Sequence, residues 1–378
     1  MDEGLPQATR LGPVHLKVTD IPAALIVWRD TIGLAVLGED AATAELGAGG
    51  RKLIVLHPGA QIALPQKSRD LFHVAIHVTS RRDLAHTAAR LKASGLRYSA
   101  QDHLVSESLY VSDPSGNRIE ICFDTPERCL RREVSADGRV ALIGTDGSAH
   151  SGLEPLHLPG LLRDLGNSGH VEQRMAKNAF IGHIHMRARA PEELMEFYVG
   201  VLGFRPHIQS RSFGMFDCGT GSRPHMVAFN IWARDELREP PPGAAGLDHF
   251  TVELASVEEL AALERRLDAA NLPPKKMAVP WRPRTRKAIA CGSCFGKVDR
   301  AAADDWGTQV GGGENDHQGD RNRLRPHRHG FDARGADHAR LRPVPSHVGG
   351  HGACGAEAAL ASARPRRRAG LESPVCRL

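Results

Sequence analysis

Between residues 11 and 272 the chain runs through one small plan four times, and a repeat of this size constrains the architecture more than any single segment. The first unit opens on the alternating stretch GPVHLKVTD, passes into IPAALIVWRDTIGL and ends on strand-like segments closing with RKLIVLHP. The second opens on LFHVAIHVTS, continues through RRDLAHTAARLKASGL and closes around SLYVSD and NRIEICF. The third runs GHIHMRARA, PEELMEFYVGVLGF, SFGMFDCGTG and HMVAFNIWA, and the fourth runs GLDHFTVELA and SVEELAALERRLDAANL and stops where its last strands are due. Units one and three resemble each other, as do two and four. Period-2 openings followed by helical segments predict an α+β chain of four βαβββ modules, the fourth truncated. Asp20, Ser80 and Ser256 are suited to cap the helices that follow them, and Gly33, Gly95 and Gly203 stand where helices end. Taken in chain order, modules one and two form a domain over 8–127 and modules three and four a domain over 179–272. Residues 128–178 join them as a linker with a short helix near LPGLLRDL.

Composition matters chiefly for what lies beyond Leu272. Residues 273–378 hold 20 Lys/Arg against 10 Asp/Glu, whereas residues 1–272 hold 29 against 34, so the net charge of +5 belongs to the tail alone. That tail is rich in Arg, Gly, Pro and His and keeps neither a period of 2 nor one of 3.6. It is expected to be a disordered basic extension or an out-of-frame reading of a GC-rich coding region. Its basic residues lack interleaved aromatics, which argues against a nucleic-acid-binding arm. Cys291-Gly-Ser-Cys294 has metal or redox spacing but no second pair. Elsewhere the apolar share of 41% suits a globular protein, and no stretch reaches the roughly 18 consecutive apolar residues of a membrane span. The acidic, polar start MDEGLPQATR and seven scattered cysteines fit a cytoplasmic setting, with no membrane or nucleic acid as partner.

The chemistry concentrates in DHLVSESLYVSDPSGNRIEI, residues 102–121. Asp113-Pro-Ser-Gly-Asn is a good turn by itself. Residues at even offsets on strands share a face, so Tyr110 before the turn and Glu120 after it can point into one concave sheet. An isolated strand glutamate is ordinarily a solvated edge residue and an isolated strand histidine ordinarily structural. Together in a cavity, two neutral imidazoles and one carboxylate make the 2-His-1-carboxylate arrangement of non-haem Fe(II) oxygenases, with three positions left open.

Four βαβββ modules in this order resemble the vicinal oxygen chelate superfamily, which includes glyoxalases, bleomycin resistance proteins and extradiol dioxygenases. The stretch from His103 through Leu109-Tyr110 and Asp113-Pro114-Ser115-Gly116 to Glu120 matches the spacing of the extradiol signature. Gln101 departs from it, standing where a small or β-branched residue is usual. SESLYVSDPSGNRIEI, GHIHMR and FNIWA look most like the two-domain catechol 2,3-dioxygenase branch, and the resemblance covers residues 11–272.

The resemblance implies a metal held by His73, His183 and Glu120, the metal being Fe(II), with Mn(II) served by the same ligands. In this superfamily a ligand sits near the start of a module's first strand. His73, His183 and His249 occupy that place, whereas module one has Pro13 there, with His15 two residues later. His185 rivals His183, and His57 and the six tail histidines are read as surface residues. A site built from Glu120 and His73 of module two therefore takes its third ligand from module three. Further implied are His225, in RPHMVAF, as acid–base group, Tyr110 as hydrogen-bond donor to a substrate oxygen, and His103 as its support. The activity implied is extradiol cleavage of a catechol-type diol by O2; related folds often pair, so a homo-oligomer is a candidate state. A glyoxalase-like isomerase or lyase and a metal-free binding protein of the drug-sequestering kind are the alternatives.

Overall fold

The computed structural model describes residues 4–272 apart from 41, 135–139 and 168, together with the backbone of 287–292. Module one comprises β1 (Arg10–Lys17), α1 (Ile21–Leu25), β2 (Ala35–Glu39), β3 (Ala44–Ala48) and β4 (Arg51–His57). Module two comprises β5 (Leu71–Val78), α2 (Arg81–Ser94), β6 (Tyr98–Asp102), β7 (Ser106–Ser112) and β8 (Arg118–Asp124). After these come β9 (Cys129–Val134), β10 (Val140–Gly144), β11 (Ala149–His150), β12 (Glu154–Pro155) and α3 (Leu158–Leu162). Module three comprises β13 (Phe180–Arg187), α4 (Pro191–Met195), β14 (Arg205–Ser210), β15 (Met215–Thr220) and β16 (Arg223–Asn230). Module four contributes β17 (Gly246–Leu254) and α5 (Val257–Ala269), followed by β18 (Lys287–Gly292).

Local signals place the helices. Asp20 and Ser80 accept from the backbone N–H three residues on, at 2.6 and 3.1 Å, and Ser256 forms a reciprocal capping box with Glu259. Gly95 ends α2 in the left-handed region at φ 72°, where a residue with a Cβ is strained. The duplication is visible in a shared irregularity. Both α1 and α4 run on into a π-helical turn, Ile26–Thr31 and Glu196–Val201, closed by Ile32 N–H on Val27 O and Leu202 N–H on Phe197 O. Among the described residues no helix is long and apolar enough to cross a membrane.

In modules one, two and three the first strand pairs parallel with the last, and the middle strands follow antiparallel toward an edge. The domain bounds 8–127 and 179–272 follow chain order, but the hydrogen-bonded sheets are assembled crosswise. Antiparallel pairing of β5 with β13 fuses modules two and three into a nine-stranded sheet, β12-β6-β7-β8-β5-β13-β16-β15-β14. Pairing of β1 with β17 does the same for modules one and four in a six-stranded sheet, β18-β17-β1-β4-β3-β2. The stretch between the two halves is long enough to permit this, and it is more than a linker. β9, β10 and β11 form a small antiparallel sheet, β12 extends the edge at β6, and α3 with the turn Arg163–Leu165 supplies the expected short helix and packs against α2.

The two sheets are tied at the Asp-Pro turn. Trp28, fully buried beyond α1, donates from Nε1 to Asp113 Oδ2 at 3.0 Å. Asp113 Oδ1 accepts the Asn117 N–H at 2.9 Å, Ser115 Oγ accepts the Thr19 N–H at 2.9 Å, and Asn117 Nδ2 donates to Lys17 O. Gly116, at φ 82°, lies so close to Leu64 that a Cβ would stand 2.8 Å from its carbonyl oxygen. The turn thus docks module two on module one as well as setting the spacing from Tyr110 to Glu120.

The expectation of a tail without structure from 273 onward needs one correction. Residues 287–292 form β18, which pairs antiparallel with β17 from Lys287 opposite Leu254 to Gly292 opposite His249. Among the described residues no parallel last strand covers this edge of β17, and ordinary ladder hydrogen bonds to β18 take it up. Cys291 falls within β18, while Cys294 and the rest of the tail lie outside the described residues.

Candidate metal centre

Strand alternation sorts the residues of the nine-stranded sheet. On β5, Val74, Ile76 and Val78 face the apolar core, and His73, Ala75 and His77 face the opposite side. On β8, Ile119 and Ile121 face the core, and Arg118, Glu120, Cys122 and Asp124 face with the histidines. Tyr110 on β7 lies directly opposite Glu120, and on the other flank Glu120 pairs with Ala75.

β13 reaches the same face only through a bulge. Ile181 pairs with Ile76, a core position, so in a regular strand His183 would be a core residue too. An extra residue, Gly182, shifts the register so that His183 pairs with Ala75 and His185 with His73. Gly182 is also the residue the position requires, since a Cβ there would stand 1.9 Å from Cδ2 of the His77 ring.

The result is a compact donor set. His73 Nε2, His183 Nε2 and Glu120 Oε2 lie 3.0, 2.9 and 3.1 Å apart for the His–His, His73–Glu and His183–Glu pairs. All three residues are buried, at 4, 5 and 3% exposure. Three such contacts cannot all be hydrogen bonds, because once both imidazoles donate to the carboxylate the two nitrogens confront each other as donors. A cation satisfies all three at once. With bonds of about 2.1 Å at right angles, ligand atoms stand roughly 3.0 Å apart, so the spacing fits three neighbouring positions of an octahedron. The remaining nitrogen of His73, Nδ1, is buried without a hydrogen-bond partner.

Electrostatics agree with neutral imidazoles around an anionic carboxylate. Burial lowers the pKa of His73, and burial together with His225 brings that of His183 to about 3. Against burial, which acts the other way, His73 and His183 hold the Glu120 carboxyl well below its ordinary value.

The other predicted residues converge on the same place. Tyr110 Oη donates to Glu120 Oε1 at 2.9 Å, and burial and the nearby carboxylate push its pKa well up, so it remains a donor. Its hydroxyl is thereby committed to the carboxylate, where the resemblance implies a substrate oxygen. His103 Nε2 meets that hydroxyl at 2.9 Å and its Nδ1 faces Gly152 O at 2.5 Å. The His225 ring stands edge-on to His183 with centroids 4.5 Å apart, and its Nδ1 lies 2.5 Å from Oδ2 of fully buried Asp217. A register shift between β15 and β16 beyond Cys218 lets His225 turn to the face carrying Asp217. His185 shares the face but points its Nε2 at Asn230, 3.0 Å away.

His15 and His249 lie in the other sheet, paired with each other and stacked at 3.9 Å, and His15 Nδ1 is 2.8 Å from His57 Nε2. His57 is therefore more than a solvated surface residue. The parallel partner of Ala75 is Glu120, but the corresponding residue of module one, His15, faces Val55. That sheet has no carboxylate at the matching position.

Sequence reasoning did not single out His77, Asp124 or Asp217. His77 Nε2 lies 3.1 Å from His183 Nδ1, and His77 Nδ1 lies 3.0 Å from Asp124 Oδ2. The available signal was parity, since His77 stands four residues after His73 and Asp124 four after Glu120 on their strands.

Residues 10–121 match the family model described as the Glyoxalase/Bleomycin resistance protein/Dioxygenase superfamily. The chain is 31% identical over 267 residues to a catechol-2,3-dioxygenase of Bacillus subtilis (strain 168), covering 70% of this chain and 89% of that one. Among solved structures it is similar to glyoxalase I from Zea mays, at 11% identity and a TM-score of 0.41 over 69% of this chain and 80% of that chain. It is likewise similar to lactoylglutathione lyase from Agrobacterium tumefaciens, at 17% identity and a TM-score of 0.26 over 31% of this chain and 95% of that chain. With a relative above 30% identity matched over nearly its whole length, the chain belongs to the glyoxalase/bleomycin resistance protein/dioxygenase superfamily.

Proposed function

We propose that this protein is an Fe(II)-dependent extradiol dioxygenase that opens a catechol-type ring with O2. The observation that carries the reading is the convergence of His73 Nε2, His183 Nε2 and Glu120 Oε2 to mutual distances of 2.9–3.1 Å in a buried site. The relative's name, catechol-2,3-dioxygenase, supports the same reaction class. Fe(II) held by these three residues would supply open coordination positions for the diol and dioxygen.

The chain's own groups account for the remaining chemistry. Tyr110 holds Oε1 of Glu120, which leaves Oε2 directed at the two histidines. His103 steadies the Tyr110 hydroxyl from behind. Asp217 fixes the Nδ1 side of His225, whose ring stands edge-on to that of His183, and leaves its Nε2 to take a proton from a diol hydroxyl and return it as the ring opens. Phe72 packs edge-on against His185 and Trp232, with centroids 5.0 and 5.4 Å apart, and gives the same face an aromatic wall suited to a flat ring.

The test is direct. Protein purified without oxygen and loaded with Fe(II) should consume O2 and turn catechol yellow, and Glu120→Ala should do neither. Metal-loaded protein inert toward catechol, 3-methylcatechol and a bicyclic diol would overturn the proposal.

A further inference from the structure

His77, Cys122 and Asp124 form a second cluster beside the metal centre, their ligand atoms within 4.8 Å of one another. It can be read as a second cation site or as support for the first, and the proton arrangement decides between them. His183 can present a lone pair from Nε2 only if its proton sits on Nδ1. That Nδ1 lies 3.1 Å from His77 Nε2, which must then accept, so His77 carries its own proton on Nδ1, 3.0 Å from Asp124 Oδ2. Every polar atom along the line is satisfied in this arrangement. A cation on His77 Nδ1 would instead move the proton to Nε2, aim it at His183 Nδ1 and place a proton on the atom that faces Glu120. The two sites exclude each other, and the donor set around Glu120 is the tighter one.

From this geometry we infer that His77 is a positioning residue of the metal centre. By accepting from His183 and donating to Asp124 it holds His183 in the tautomer that presents Nε2 to the metal. The inference rests on the metal-centre reading above and concerns how that site is kept competent. The seat of His77 is built for the purpose: its ring lies against Gly182, where any Cβ would meet it, and the residue is buried, at 9% exposure. Asp124, at the outer end of the line, has a half-exposed side chain. Partners of this kind that fix a ligand imidazole are typically worth about 10–100-fold in metal affinity.

The experiment compares the full chain with His77→Leu, which has no acceptor, and His77→Gln, whose side-chain oxygen can accept from His183. Affinity for Zn(II) and Fe(II) is read by competition with a chromophoric chelator, and histidine protonation by 15N NMR of the Zn(II)-loaded protein. The expected result is about 10–100-fold weaker binding in His77→Leu, recovery to within a few-fold in His77→Gln, and protons on Nδ1 of both His183 and His77. Equal affinity in all three proteins, or a His183 proton on Nε2, would overturn the inference. So would a second equivalent of metal that disappears in Cys122→Ala. A wild-type chain that takes up no metal would refute the metal-centre reading itself, whereas tight wild-type binding unchanged in His77→Leu would refute only the role of His77.

Discussion

Replacing Glu120 by glutamine separates a metal ligand from a structural ion pair. Glutamine keeps the size of the side chain and an acceptor for Tyr110, and it removes only the charge. If Glu120 serves as an ordinary buried partner of protonated histidines, its loss leaves two uncompensated charges and costs about 3–5 kcal/mol. The structure argues otherwise, because burial holds both His73 and His183 below their ordinary pKa and so neutral at pH 7. The imidazole N–H groups nevertheless hold the carboxyl below its ordinary pKa, so the ionised form is favoured on folding and Glu120→Gln should cost the metal-free protein a modest amount, about 1.5 kcal/mol, well short of the loss of an ion pair. The larger loss appears only with metal present. A ligand at a hundred times its Kd stabilises the wild-type fold by about 2.7 kcal/mol, which for a chain of this size is roughly 5–11 °C in Tm. Thermal melts of both proteins with Zn(II) and with a chelator give all four values. A metal-free Glu120→Gln protein that melts more than 6 °C or so below wild type, with no metal-dependent shift in wild type, would refute the reasoning.

Other outcomes follow from the same contacts. His225→Ala should retain metal affinity and lose roughly 10²–10⁴-fold in kcat, measured by O2 uptake at saturating catechol. Asp113→Ala strands the buried Trp28 Nε1–H and the Asn117 amide, at a cost of about 3 kcal/mol by urea unfolding, with the metal site unchanged in spectroscopic signature. The metal-free protein should weaken in acid. Since His183 titrates at about 3 when folded and 6.5 when unfolded, the unfolded chain binds the extra proton between those values. Stability therefore falls as pH falls through that window, by up to about 1.4 kcal/mol per pH unit for this group, and more where buried His73 and His185 add to it. Gly182→Ala should displace the His77 ring and weaken metal binding at least as much as His77→Leu, by the same chelator competition.

Much of the module plan is legible because period-2 strands and capped helices leave direct traces in sequence. Ser80 with Gly95 and Ser256 with Glu259 bracket or open helices that form as their chemistry requires. The meeting of His73, His183 and Glu120 on one face is foreshadowed only through the family resemblance, which implies a ligand near the start of each module's first strand, a place where module one has Pro13. What escapes is depth and register. No periodicity distinguishes Asp217, which is fully buried under His225, from a solvated strand aspartate, and His77 reads as one more strand histidine until its neighbours across the sheet are known. The strand at 287–292 escapes as well, because its pairing depends on the open edge of β17 more than on its own pattern.

Gly182 shows why register decides the chemistry. The duplicated modules build the same antiparallel seam twice, β5 against β13 and β1 against β17, and both seams bring histidines together across the pair. In the β1–β17 seam His15 and His249 stack at 3.9 Å beside a strand that offers Val55. In the β5–β13 seam the strand alongside offers Glu120, but a carboxylate alone would gain nothing if His183 remained on the core face with Ile181. One inserted residue reverses the parity of the strand, and because that residue lacks a Cβ, His77 can occupy the space behind the ligand it supports. Strand β1 makes the same one-residue shift, between Leu11 and Val14 at Gly12, so the slip belongs to the common plan, and the two seams differ in chemistry: Glu120 stands where the sister sheet has Val55, and His183 where it has Pro13. Without that pair the seam offers only facing histidines, as in the sister sheet, where His15 and His249 are half-buried.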